Sequence, residues 1–212
     1  FPEKLIAKMQ ASGLNLDYVK AEDKAVFQAG IVDFLGVNSY NRVLVKPYTA
    51  GESTMFMNNK GKQNKTNHAS SIIKGWFETD FDPKAKYNPW GSEIYPDTIY
   101  DMLKDIKQMY GDIPVYITES GIGTYDGLNA EGKVDDDYRI EILEGWVDGL
   151  LRAKAEGCNV LGYFIWSTMD LYSWINGYEK RYGLVYVDYE HDCQRIPKKS
   201  YSWYQKKIKE NL

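Results

Sequence analysis

An α/β fold built from parallel strands is predicted by two features of the sequence. Three short apolar runs, each of strand length and rich in β-branched or aromatic residues, are separated by two amphipathic helical patterns. The order strand, helix, strand, helix, strand implies crossover connections and hence parallel βαβ units. The first run is Ile31-Val32-Asp33-Phe34-Leu35-Gly36-Val37. Before it, the first thirty residues carry Leu5, Ile6 and Met9 at the spacing of one helical face. After Pro96-Asp97, the residues Ile99, Met102, Leu103, Ile106 and Met109 repeat at helical spacing until Gly111. The second run is Val115-Tyr116-Ile117-Thr118. A helix then opens on Asp135, Asp136 and Asp137, whose charges suit a helix N-terminus, presents Leu143, Trp146, Val147, Leu150 and Leu151 on one face, and stops at Gly157. The third run is Val160-Leu161-Gly162-Tyr163-Phe164-Ile165, and an amphipathic segment from Ser200 to Glu210 closes the chain.

The connection after the first run breaks this rhythm. Residues 41 to 95 are expected to form a long exposed loop, since residues 51 to 70 are polar and rich in Asn, Lys, Gly and Ser. Asn64-Lys65-Thr66 matches a glycosylation sequon but is expected to be a solvated loop. No internal repeat and no linker divides the chain, so residues 1–212 are expected to form one segment.

Composition excludes several classes. With 43% hydrophobic residues the 212-residue chain can bury a core, and 26 Lys+Arg against 30 Asp+Glu give no attraction to nucleic acid or an anionic membrane. Two cysteines, Cys158 and Cys193, and two histidines, His68 and His191, supply neither a disulfide framework nor a zinc site, so no metal or other cofactor is expected. No stretch approaches the roughly 20 apolar residues of a membrane span, and no export signal is readable, which points to a cytoplasmic protein. The 18 Tyr and 6 Trp offer the flat faces and hydroxyls that polyhydroxylated ligands use.

Chemistry concentrates where the apolar runs end, as it does in parallel barrels. The first run ends in Asn38 and Tyr40, the second in Glu119 and Ser120-Gly121, and the third in Trp166-Ser167, with Asp170, Ser173 and Trp174 beyond. A carboxylate to attack an anomeric carbon, a phenol to hold it and indoles to cover sugar rings suit glycoside chemistry. The chain has no Gly-x-Ser-x-Gly elbow, Walker loop or His-Glu-x-x-His.

These stretches resemble the family 1 glycoside hydrolases, retaining β-glycosidases on a (β/α)8 TIM barrel. Asp33-Phe34-Leu35-Gly36-Val37-Asn38-Ser39-Tyr40 is similar to the family's sixth-strand motif, Tyr116-Ile117-Thr118-Glu119-Ser120-Gly121 to its seventh and Gly162-Tyr163-Phe164-Ile165-Trp166-Ser167 through Asp170 to its eighth. The resemblance implies that Glu119 is the nucleophile and that Tyr40 hydrogen-bonds it. By the same resemblance Asn38 lies near the sugar, and Trp166 and Trp174 line the glycone subsite. Ser120 stands where the family usually has Asn.

A second departure bears on substrate. Ordinary β-glucosidases of the family read Asp-Asn-Phe-Glu-Trp after the eighth strand, whereas this chain reads Asp170-Leu171-Tyr172-Ser173-Trp174. A carboxylate there would repel an anion; a hydroxyl would donate to it. With Lys180 and Tyr182, Ser173 supplies one cation and two hydroxyl donors for a phosphate. This pattern resembles the phospho-β-glycosidases, and Trp174 favours the 6-phospho-β-galactosidase subgroup over 6-phospho-β-glucosidases. The substrate implied is a 6-phosphorylated β-glycoside.

A retaining glycosidase needs a second carboxyl group roughly 5 to 5.5 Å from the first. The family's acid/base Glu lies in an Asn-Glu-Pro sequence, which is missing here. A closed (β/α)8 barrel takes roughly 250 residues. The chain is therefore expected to hold only about strands six to eight, the C-terminal part of an incomplete barrel. Alone it is expected to be inactive, and its free edges call for the N-terminal half of the barrel or for self-association. A non-catalytic sugar-phosphate-binding fragment is the reading outside the enzymes.

Overall fold

The computed structural model describes residues 3–18, 20–61 and 68–211 and divides the chain into two units, Phe1–Asp33 and Phe34–Leu212. The first unit holds two short helices, α1 (Glu3–Ala11) and α2 (Asp23–Ala29), neither of which buries a residue fully. Leu5, Ile6 and Met9 are half-buried along α1.

The second unit is organised on a parallel sheet. Strand β1 (Leu35–Asn38) ends at the predicted rim. It starts later than the apolar run suggests: Ile31 and Val32 lie outside it and are exposed, because pairing begins where Leu35 meets Val115.

Residues 41–95 do not form a long loop. They contain β2 (Leu44–Pro47), β3 (Thr54–Phe56), β4 (Ser70–Ile73) and β5 (Phe77–Asp80), an antiparallel sheet in the order β2-β5-β4-β3. A two-residue pairing of β6 (Lys86–Tyr87) with β7 (Glu93–Ile94) follows. These strands span only two to four residues and none is fully buried throughout, so they leave little alternation to read. The Asn64-Lys65-Thr66 sequon lies outside the described residues.

Helix α3 (Thr98–Tyr110) starts after Asp97 and ends at Gly111, whose φ of +75° is a left-handed conformation that glycine adopts without penalty. The central strand β8 (Val115–Ser120) pairs in parallel with β1 on one side. Helix α4 (Asp137–Ala155) then leads to β9 (Val160–Ile165), which pairs in parallel with β8 on the other side. The alternating pleat sends Val115 and Ile117 into the core and leaves Tyr116 half-buried and Thr118 exposed. Ile99, Leu103 and Ile106 of α3 and Leu143, Trp146 and Leu150 of α4 cover the buried face. A hairpin of β10 (Val185–Asp188) and β11 (Gln194–Pro197) precedes the last helix, α5 (Lys199–Asn211), whose Trp203 and Tyr204 pack on the same core.

Sheet order β1-β8-β9 leaves β1 and β9 with no strand partner on their outer edges among the described residues. Phe34 and, on β9, Leu161 and Phe164 are each more than half exposed.

A buried ionic network ties the loops beyond the strands to α4 and α5. Arg139 donates from Nε to Asp136 at 2.8 Å and from Nη2 to Asp126 at 2.6 Å, and its Nη1 holds the carbonyls of Ile122 and Tyr182. Lys198 bridges Asp126 at 2.6 Å and Asp170 at 2.8 Å. Asp136, read as a helix-start charge, is fully buried and also accepts from Ser200. Three aspartates face Arg139, Lys198 and Arg181, so the buried charges are balanced, as they must be away from water.

Candidate active site

Parallel register brings the ends of β1 and β8 side by side, with Asn38 opposite Glu119 across a register shift. Ser39 N–H donates to the Glu119 carbonyl at 2.8 Å, which fixes the turn that carries Tyr40. The Tyr40 hydroxyl donates to Glu119 Oε2 at 2.6 Å, although the two residues are 79 positions apart in sequence. Burial first, and then this hydrogen bond, push the Tyr40 phenol well above its ordinary range, so it stays protonated and donates.

Glu119 opens into a cavity of about 380 Å³ lined also by Tyr40, Trp166, Lys180 and Tyr182, a volume suited to one small polar ligand. Lys180 sits with its Nζ 4.9 Å from the centroid of the buried Trp90 ring and 5.4 Å from that of Tyr182. Burial pushes its ammonium down to about 8. Among the described residues it forms no salt bridge, in contrast to Arg42, which makes a two-pronged contact with the cavity carboxylate Glu93 at 2.8 and 2.9 Å. Burial raises the Tyr182 phenol, and the neighbouring Ser173 hydroxyl opposes that rise.

The remaining predicted residues are placed unequally. Ser173 does not line the cavity but meets Tyr182 behind it, with Asn176 between them. Asn38 stands exposed at the end of β1, accepting from the Thr118 hydroxyl at 2.7 Å. Trp174 is 95% exposed and lines no part of the cavity. Ser120 is fully buried and also lies off the cavity. Asp170, one of the polar residues beyond β9, is drawn into the ionic network instead, accepting from Arg181, Lys198 and the Gly183 N–H.

Strand-end reasoning missed Asn88, Trp90, Ser92 and Glu93, which reach the site from the antiparallel excursion. No local pattern marks them. Asn176, two residues past Trp174, could have been found as one more polar residue in the segment already singled out. The described residues include no group of three or more His, Cys, Asp or Glu that could hold a metal ion. No helix among them is long and apolar enough to cross a membrane.

Comparison with known proteins converges on one family. The family model for glycosyl hydrolase family 1 matches residues 1–212. A 6-phospho-beta-galactosidase of Streptococcus equi subsp. zooepidemicus is 41% identical over 197 residues, covering 92% of this chain and 40% of the relative. One from Staphylococcus haemolyticus is 39% identical over 201 residues, covering 93% and 42%. Among solved structures, a family 1 β-glucosidase from Thermotoga maritima matches with a TM-score of 0.78 and 31% identity, over 100% of this chain and 41% of that one. The chain thus spans about two fifths of the length of these relatives.

Proposed function

Because the chain belongs to glycosyl hydrolase family 1, we propose that it is the C-terminal part, about strands six to eight, of a (β/α)8 barrel that hydrolyses 6-phospho-β-galactosides with retention of configuration. Glu119 attacks the anomeric carbon, and the leaving oxygen takes a proton from an acid/base carboxyl group outside this chain. The glycosyl ester on Glu119 is then hydrolysed by water. Tyr40, donating to Glu119 Oε2, holds the carboxylate in one orientation and leaves Oε1 for attack.

One observation carries the phosphate assignment. Lys180 is a buried cation in the same cavity as Glu119, without a carboxylate partner among the described residues. An unpaired buried charge is costly, and a phosphate dianion is the partner that removes the cost. Tyr182 adds a hydroxyl donor in the same cavity and Ser173 a second one next to Tyr182, and the relatives named above carry the matching activity in their names. Asn38, Trp166 and Trp174 contact the sugar in the completed barrel. Its remaining strands take the free edges of β1 and β9 and the apolar groove lined by Val147, Leu151, Tyr204 and Ile208. The test is kcat/KM of the completed barrel on nitrophenyl β-galactosides with and without the 6-phosphate. A strong preference for the phosphorylated substrate is expected, and indifference to phosphate would leave a plain β-glycosidase.

A further inference from the structure

We propose that Asn176 is a specificity-determining residue whose carboxamide oxygen, in the ligand-free site, stands where a phosphate oxygen binds, and which a dianion displaces but a neutral sugar hydroxyl does not. This inference rests on the phosphate reading of Ser173, Lys180 and Tyr182. It adds an occupant to that site.

The geometry is that of a shared acceptor. Ser173 and Gly177 exchange two backbone hydrogen bonds, both at 2.8 Å, closing a tight turn. Gly177 takes the left-handed conformation, with φ of +66°. Inside the turn, Asn176 N–H donates to Ser173 Oγ at 3.2 Å. Asn176 Oδ1 accepts from the Ser173 hydroxyl at 3.4 Å and from the Tyr182 hydroxyl at 3.2 Å. Its Nδ2 donates to the Asn59 carbonyl at 3.1 Å, on the segment between β3 and β4. The two hydroxyls proposed to bind phosphate therefore already converge on one oxygen.

The consequence is a selection by charge. A neutral hydroxyl is no better an acceptor than an amide oxygen and brings a proton of its own, so it gains nothing by taking Asn176's place. A phosphate oxygen makes charge-assisted bonds about twice as strong, and Lys180, whose ammonium lies 5.4 Å from the centroid of the Tyr182 ring, favours it further. When the amide yields, Asn59 loses its tether, so binding is felt at the tip of the antiparallel excursion.

The test uses the 212-residue chain, titrated by NMR with galactose 6-phosphate and with galactose. In wild type, galactose 6-phosphate should shift the Asn176 side-chain amide and the Asn59 and Lys60 backbone amides, and galactose should not. In Asn176→Ala the turn is retained by its backbone bonds and the two donors are released. Affinity for galactose should then rise about twofold to tenfold, one hydrogen bond's worth, while galactose 6-phosphate binds at least as well as before. Isosteric Asn176→Asp, should the alanine variant fail to fold, puts a stronger competitor in place and should weaken galactose 6-phosphate at least about tenfold without changing galactose. Equal weakening of both ligands in either variant, or a loss of galactose 6-phosphate in Asn176→Ala as large as that in Ser173→Ala, overturns the proposal. A wild type that does not prefer the phosphorylated sugar overturns the phosphate reading itself, and the inference with it.

Discussion

Replacing Lys180 by Met keeps an unbranched stem against Trp90 and Tyr182 and removes only the charge. If Lys180 binds the substrate's phosphate, the variant loses a charge-assisted contact worth about 1.5 to 3 kcal/mol, or roughly ten- to a hundredfold in affinity. The loss should be confined to the phosphorylated substrate. Wild type should also show the charge through pH. The ammonium titrates near 8 in the free site, lowered by burial. A bound dianion holds it protonated, so the complex keeps a proton that the free site gives up above that value. Affinity is therefore full below about pH 8 and falls by about tenfold for each pH unit above it. Between pH 7 and pH 9 the expected drop is about tenfold, because the protonated share at pH 9 is about one part in eleven. In Lys180→Met this dependence should vanish. The assay is the affinity for galactose 6-phosphate and for galactose from pH 6.5 to 9.5, on both proteins. Equal losses on both sugars, or a wild-type curve flat across pH 8, would refute the reasoning and make Lys180 a packing residue.

Glu119→Gln in the completed barrel should lower turnover by several orders of magnitude and leave substrate binding nearly intact, since an amide keeps the shape but forms no glycosyl ester; steady-state kinetics check it, and a mild loss speaks against Glu119 as nucleophile. The 212-residue chain alone should show no turnover of an aryl 6-phosphogalactoside if, as proposed, the acid/base carboxyl group lies outside it; activity that copurifies with it would place that acid within residues 1–212. Arg139→Met should destabilise the chain by about 3 to 5 kcal/mol in urea unfolding by leaving Asp136 buried without a cation and Asp126 with Lys198 alone, whereas Lys86→Met, which removes an exposed pair with Glu141, should change stability by less than about 1 kcal/mol.

The sequence made the central sheet and its backing legible because each depends on one dominant period. Val115 and Ile117 on a strand, and Leu143, Trp146 and Leu150 on a helix, announce a buried face without reference to anything else. Glu119 and Tyr40 could be paired because parallel strands collect their C-terminal ends on one rim. Three things escaped. The antiparallel excursion has strands too short and too polar for alternation to register. Asp136 and Asp170 look like surface charges until the fold buries them against Arg139, three residues on from Asp136, and against Arg181 and Lys198, 11 and 28 residues on from Asp170. What stands opposite Trp174 cannot be read from its motif, and among the described residues nothing buries its indole.

The ion pair between Arg181 and Asp170, 2.8 Å long, joins the two ends of the segment that carries Ser173, Asn176 and Lys180. Because the ends are already held at a fixed separation, the entropy of closing that loop is met by the clamp and depends little on what lies between. Residues 171–180 therefore behave as a cassette. Exchanging their sequence for that of another family member changes the contacts that Asn176 and Lys180 make to Asn59 and Trp90 and leaves the clamp in place, provided Asp170 and Arg181 are retained. Grafting at these two points is thus the economical route for moving this scaffold between charged and uncharged sugars.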